Sequence, residues 1–270
     1  MQNLSAHPIG IFDSGIGGLT VAHAVTQQLP QESIIYFGDT AHAPWGDKST
    51  AAIQAYSIKI CDMLLQQHCK VILMACNTAS AAAYELVKEY IGQKAMVFNV
   101  IDPVINYLRE HYHGKCIGLI GTHQTIQSNT YRKKIDALNT DLTLKALATP
   151  LLVPLIEEGF SEHKIMADIL KNYLANPELE GIEALILGCT HYPLIKKSIE
   201  AFYQQKIPVI DSSKVVAKAL KGFLEYHDLC NKTVDTNKRF FVSDYTEPFA
   251  ACAKVFFQDE VLLERYPLWE

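Results

Sequence analysis

Short apolar runs rich in β-branched residues recur along the whole chain, and each is followed by a turn and then by a stretch with helical spacing. Residues 9–12 lead into a glycine-rich turn and a helix expected over 19–29. Next, 33–37 is followed by an amphipathic stretch over 50–68, and 71–75 by a helix over 79–90. Further strands are expected at 96–100, 115–120, 142–146, 184–187, 208–210 and 239–242. A strand with no polar face must be covered on both sides, and strands that alternate with helices join in parallel through crossovers. The pattern predicts an α/β fold with parallel sheets. In such sheets ligand-binding residues gather beyond the carboxyl ends of the strands, so the loop after each strand carries the chemistry.

The chain also echoes itself. Ile9-Gly10-Ile11-Phe12-Asp13-Ser14 has a counterpart in Ile117-Gly118-Leu119-Ile120-Gly121-Thr122. Ile72-Leu73-Met74-Ala75-Cys76-Asn77-Thr78 has one in Leu185-Ile186-Leu187-Gly188-Cys189-Thr190-His191. Both echoes come in the same order and at nearly the same offset, which points to two related α/β units. Each carries a cysteine at the end of a buried strand. If the units face each other, Cys76 and Cys189 approach one cleft from opposite sides.

Several function classes lose support from the bulk of the sequence. A net charge of −5, with no concentrated basic patch, argues against nucleic-acid binding, and Arg132-Lys133-Lys134 reads as the solvated face of a helix. No run approaches the roughly 18 apolar residues of a membrane span. His7, Pro8 and Gly10 interrupt any signal-peptide pattern, so the chain is read as cytoplasmic. The 7 cysteines form no Cys-x-x-Cys pair, which suits reduced thiols better than disulfides, a zinc ribbon or a redox pair.

The strand-end loops hold the candidate residues. At Ala75-Cys76-Asn77-Thr78-Ala79-Ser80 a thiol leaves a strand where a helix begins, among hydroxyl and amide groups. Backbone N–H groups at a helix start favour a thiolate and also cradle a carboxylate. The same segment also reads as a buried cysteine ahead of a well-capped helix. At Gly188-Cys189-Thr190-His191-Tyr192-Pro193-Leu194 an imidazole lies two residues past the thiol, placed to hold or exchange its proton. His191 also reads as a loop histidine bonded to a carbonyl. In Phe12-Asp13-Ser14-Gly15-Ile16-Gly17-Gly18 the carboxylate of Asp13 is placed to orient an ammonium, to accept a proton from Cys76, or to cap the next helix. Neither a Schiff-base lysine motif nor a clustered metal-ligand set is present, so no cofactor is expected. Inverting an α-carbon without one needs a base on one face and an acid on the other, and two thiols from two mirrored units meet that demand.

At these residues the sequence resembles the glutamate racemase family. The resemblance rests on 10–20, on Gly38-Asp39-Thr40 with Pro44-Trp45-Gly46-Asp47-Lys48-Ser49, on Cys76-Asn77-Thr78, on Gly121-Thr122 with Thr125 and Ser128, and on 188–194. It implies two pseudo-symmetric parallel-sheet α/β domains with the active site at their interface. Residues 1–98 and 210–270 are expected to form the first, carrying Asp13 and Cys76, and 99–209 the second, carrying Cys189 and His191. By the same resemblance Cys76 and Cys189 are the acid/base pair, with Asp13 assisting Cys76 and His191 assisting Cys189. Asp13, Ser14, Trp45, Gly46, Asn77, Thr78, Thr122, Thr190 and His191 are then expected to contact the amino acid. A cytoplasmic homodimer that makes D-glutamate for peptidoglycan completes the implied picture.

One position departs from the family pattern, which has Tyr where this chain has Trp45. Indole donates only through its N–H. Contact through the side chain would alter affinity or selectivity, whereas contact through the backbone tolerates the change, and the second is expected. Rival readings are a racemase for another acidic amino acid such as aspartate, a cysteine hydrolase built on Cys189 and His191, a metal- or effector-binding protein, and a redox protein pairing Cys76 with Cys189.

Overall fold

The structure is a computed structural model that describes residues 4–233 and 236–270. In chain order the first unit contains β1 (Ile9–Asp13), α1 (Leu19–Gln28), β2 (Ile34–Gly38), α2 (Thr50–Gln66), β3 (Val71–Met74), α3 (Asn77–Ile91) and β4 (Met96–Asn99). After α4 (Ile101–His111) the second unit runs through β5 (Cys116–Gly121), α5 (His123–Gln127), α6 (Thr130–Asp136) and β6 (Thr143–Ala148). It continues with α7 (Leu152–Glu157), α8 (Lys164–Leu174), β7 (Ala184–Gly188), α9 (Lys196–Phe202) and β8 (Val209–Asp211). Helix α10 (Ser212–Tyr226) leads back to β9 (Lys238–Val242), α11 (Glu247–Phe257) and β10 (Leu263–Arg265).

Every strand pairing is parallel, and the two sheets run β10-β9-β2-β1-β3-β4 and β6-β5-β7-β8. The core order β2-β1-β3-β4 of the first sheet is repeated by β6-β5-β7-β8 in the second. The sequence echoes fall on topologically equivalent strands, β1 with β5 and β3 with β7. Cys76 and Cys189 therefore leave equivalent strands. The returning chain adds β9 to the outer side of β2, and α10 packs on α1 and α4. The expected boundary at 98/99 falls within the last residues of β4, and that at 209/210 falls inside β8, which pairs with β7 in the second sheet.

Strands β1, β2, β3 and β7 are buried along their whole length, as their unbroken apolar runs require. One core joins Ile9, Ile11, Tyr36 and Leu73 to the interior of the second unit, and a second core places Phe12, Phe37, Ile72 and Met74 under α2 and α3. The return of the chain is anchored by a buried ion pair. Lys70 Nζ meets Glu32 Oε2 at 2.6 Å and the Leu229 carbonyl at 2.8 Å, while Glu32 Oε1 accepts from the Asn231 N–H at 2.7 Å. Both side chains are fully buried, and such a pair holds only when its remaining groups are also bonded.

Strand ends differ from the sequence expectation by a residue or two, and β10 was not expected at all. The expected helix over 79–90 starts earlier, at Asn77, because Cys76 itself supplies the cap. Arg132 and Lys133 are exposed on α6, and Lys134 pairs with Asp102 at 2.7 Å. Among the described residues no helix is long and apolar enough to cross a membrane.

Candidate active site

Strands β1 and β3 end side by side, so the turn after β1 sets Ser14 beside Cys76. The equivalent ends of β5 and β7 set Thr122 beside Cys189. Between the units lies a cleft with about 650 Å³ of empty space. Ser14, Cys76, Asn77 and Thr78 line it from the first unit, and Thr122, Cys189, Thr190 and His191 from the second. The turn at Trp45–Asp47 supplies another wall. Close approach here requires glycine: at Gly17 an added Cβ would overlap the His191 ring and the Thr190 hydroxyl, and at Gly38 it would overlap the Gly15 carbonyl.

The two thiols sit in different electrostatic settings. Cys76 Sγ caps α3 by accepting the Ala79 N–H at 3.4 Å, and its thiol donates to Ser14 Oγ at 3.6 Å. Burial, reinforced by the charge of Asp13, outweighs these bonds and pushes the Cys76 pKa up to about 12, which keeps it a thiol at neutral pH. Charge on Cys189 adds to the rise, so the sulfurs are within electrostatic reach of each other.

Cys189 Sγ lies 3.7 Å from His191 Nδ1, and His191 Nε2 lies 2.8 Å from Glu157 Oε1. Burial alone would push the His191 pKa down. Hydrogen bonds to Cys189 and Glu157, with their charges, overcome it and push the pKa up to about 10. The imidazole therefore holds a proton within reach of the Cys189 sulfur at neutral pH. Glu157, at the end of α7, was not singled out in the sequence. It lies 34 residues from His191 with no local motif, and α11 covers the pair with Phe256 edge-on to the His191 ring at 5.1 Å.

Asp13 is fully buried and does not line the cleft, so the structure does not place it against a ligand as the sequence reading expected. Its Oδ2 accepts the Gly15 N–H at 3.1 Å and its Oδ1 accepts the Thr190 hydroxyl at 3.4 Å. The cap position of α1 is Gly18, and its backbone N–H is among those that bond the Asp13 carboxylate. Burial raises the Asp13 pKa, opposed by His191 and by backbone N–H groups of its own turn. A carboxylate so placed, next to Cys76, is suited to take or return a proton there. Thr190 lies between the two settings, 3.4 Å from His191 Nδ1 and 3.4 Å from Asp13.

At the far end of the cleft Thr78 and Thr122 meet at 2.9 Å across the units, with Thr125 3.0 Å from Thr122. Thr78, Thr122 and the Asn77 amide line the cleft there as a neutral, donor-rich wall suited to a carboxylate. Among the described residues no group of three or more His, Cys, Asp and Glu side chains is placed to hold a metal.

The Trp45 ring is buried and its indole N–H is engaged, donating to Asp39 Oδ2 at 3.3 Å. Asp39 is a hub: Ser243 Oγ and Trp269 Nε1 each donate to Oδ1 at 2.8 Å, and His42 Nδ1 lies 2.9 Å from Oδ2. The sequence marks Asp39 only as part of a motif, because two of its four side-chain partners, Ser243 and Trp269, come from the far end of the chain.

Comparison with known proteins closes the question of family. The pattern of the Asp/Glu/hydantoin racemases matches residues 19–220, and a glutamate racemase of Chlorobaculum parvum is 40% identical over 95% of this chain and 94% of its own. The chain belongs to the Asp/Glu/hydantoin racemase family. Within this racemase family, the crystal structure of glutamate racemase from Francisella tularensis in complex with D-glutamate is 38% identical, with a TM-score of 0.91 over 98% of this chain and 99% of that one. The aspartate racemase of Picrophilus torridus is 20% identical with a TM-score of 0.59 over 82% of this chain and 97% of that one, a likeness of fold alone.

Proposed function

We propose that this chain interconverts L- and D-glutamate without a cofactor, with Cys76 and Cys189 as the acid/base pair. The observation that carries the reading is the pair of thiols on equivalent strands of two facing units, both lining one cleft. Glutamate is favoured over aspartate because the strongly similar relatives are named glutamate racemases, one of them solved with D-glutamate. In the proposed reaction one sulfur, as thiolate, takes the α-proton while the other, as thiol, delivers a proton to the opposite face. The two sulfurs thereby exchange protonation states. Asp13 beside Cys76, and His191 with Glu157 beside Cys189, return them to the starting state. Ser14, Asn77, Thr78, Thr122, Thr190 and the backbone at Trp45 and Gly46 hold the substrate. By the same family likeness the enzyme is a cytoplasmic homodimer whose product serves peptidoglycan synthesis.

A single observation favours a second reading. Cys189, His191 and Glu157 form a thiol–imidazole–carboxylate row of the kind used in nucleophilic hydrolases. That reading leaves Cys76 without a role.

The circular dichroism of L-glutamate incubated with reduced protein and no added cofactor tests the proposal. The signal is expected to decay to zero with L-glutamate and to persist with L-aspartate. A flat trace with L-glutamate from folded protein overturns it.

The role of Trp45 is tested by the same assay. Trp45→Tyr keeps a donor toward Asp39 and is expected to hold KM for glutamate within about threefold. Trp45→Phe removes the donor and is expected to raise KM about tenfold by loosening the cleft wall. Equal effects of the two would show that ring size, and not the bond to Asp39, sets the wall.

A further inference from the structure

Asn77 is 2% exposed and lines the cleft, yet its Nδ2 has no hydrogen-bond partner. A buried amide with an unmade bond is costly unless a ligand completes it. The other end of the same amide is held: Asn77 Oδ1 accepts the hydroxyl of Tyr131 at 2.8 Å. Tyr131 comes from the second unit, is 1% exposed, and does not line the cleft. Its helix, α6, is fixed against α3 by the Thr130 hydroxyl donating to the Ala81 carbonyl at 3.1 Å, and against α4 by the Lys134–Asp102 pair at 2.7 Å. Burial raises the Tyr131 pKa, so the hydroxyl keeps its proton and remains a donor.

An asparagine amide has an accepting end and a donating end, and they oppose each other. Whichever faces the cleft decides whether the group attracts a carboxylate or repels it. Asn77 is also the first residue of α3, where free backbone N–H groups already favour an anion. We infer that Tyr131 is a positioning residue for substrate binding: its hydroxyl holds the oxygen end of the Asn77 amide and thereby turns the amide NH2 into the cleft toward a substrate carboxylate. Tyr131 acts from outside the cleft, through Asn77, and ties substrate affinity to the packing of the second unit on the first. The inference rests on the racemase reading above.

A double-mutant cycle on KM for glutamate, with kcat and thermal unfolding followed alongside, tests it. Tyr131→Phe frees the amide to rotate and is expected to raise KM about three- to tenfold with kcat nearly unchanged. Asn77→Ala is expected to raise KM about ten- to hundredfold, the worth of a hydrogen bond to a charged group. In the Asn77→Ala background Tyr131→Phe should add nothing, because the group it orients is gone. A purely structural role would instead give the same factor in both backgrounds.

Asn77→Asp provides an arm that leaves Tyr131 untouched. It keeps an oxygen for the Tyr131 hydroxyl and puts a negative oxygen where the NH2 stood, so KM should rise above that of Asn77→Ala. An Asn77→Asp enzyme with wild-type KM would mean the oxygen end already faces the cleft, and the inference would fall. It falls as well if Tyr131→Phe leaves KM unchanged in an enzyme that racemises glutamate, and that outcome leaves the racemase reading standing. A wild-type chain that does not racemise glutamate overturns both.

Discussion

Cys76→Ala and Cys189→Ala are each expected to lower kcat for glutamate racemisation by about 10⁴-fold, close to 5 kcal/mol of transition-state stabilisation. In the proposed reaction each sulfur serves one face of the α-carbon, and no neighbouring group is placed to stand in for it. On the Cys76 side Asp13 is sealed behind the cleft wall, and Ser14 offers a hydroxyl that is a poor base at neutral pH. On the Cys189 side the His191 imidazole also lines the cleft, but its Nε2 is held by Glu157 and its Nδ1 faces the sulfur, so both ring nitrogens are engaged. Both variants should remain folded, since removing one sulfur from the wall of an existing cleft leaves little new cavity. The readout is polarimetric decay of L-glutamate and of D-glutamate. A hydrolase built on Cys189 would lose activity only with Cys189→Ala, so a Cys76→Ala enzyme that retains most of its rate would overturn the two-thiol account.

His191→Asn is expected to cost about 10²-fold or more in kcat, and Glu157→Gln less. Enantiomers have equal free energy, so either variant must lower kcat/KM equally in both directions. The asymmetry of the site should appear instead in the α-deuterium isotope effect. It should grow in the direction in which Cys189 takes the substrate proton. Dependence on pH separates the two variants further. The folded-state pKa of His191 is raised to about 10 by Cys189 and Glu157 against the cost of burial. Its proton is therefore bound more tightly in the folded chain than in the unfolded one. The resulting stability is fully present below the ordinary imidazole value of about 6.5 and fades as pH rises through about 10. Activity that needs the protonated ring fades along the same alkaline limb. Glu157→Gln removes one of the supporting charges, so that limb should move to lower pH. An unmoved limb, followed by initial rates across pH 7 to about 11, would show that Glu157 only packs against the ring.

The strands were legible because a parallel strand covered on both faces must be apolar throughout, as Ile72-Leu73-Met74 and Leu185-Ile186-Leu187 are. Cys76 and Cys189 stood out because each follows such a run and the two runs echo each other. What the sequence could not show is pairing across long separations. Glu157 meets His191, Tyr131 meets Asn77, and Trp269 meets Asp39 across 34, 54 and 230 residues. Each partner sits in a segment without a motif of its own. The short β10, Leu263-Glu264-Arg265, lies at the sheet edge and has no apolar run to announce it. Asp13 illustrates a different limit: its place at a strand end was readable, but its burial behind Ser14 and its bond to Thr190 of the other unit were not.

The central claim is that two sulfurs work from opposite faces, and proton exchange in heavy water tests it most directly. L-glutamate is incubated with the enzyme in D₂O, stopped at low conversion, and both enantiomers are separated and weighed for α-deuterium. Two facing thiols predict deuterium in the newly formed D-glutamate and protium in the remaining L-glutamate, because the proton removed returns to its own face while the delivered one comes from solvent. Deuterium appearing equally in both pools would mean that one base serves both faces, and would contradict the account.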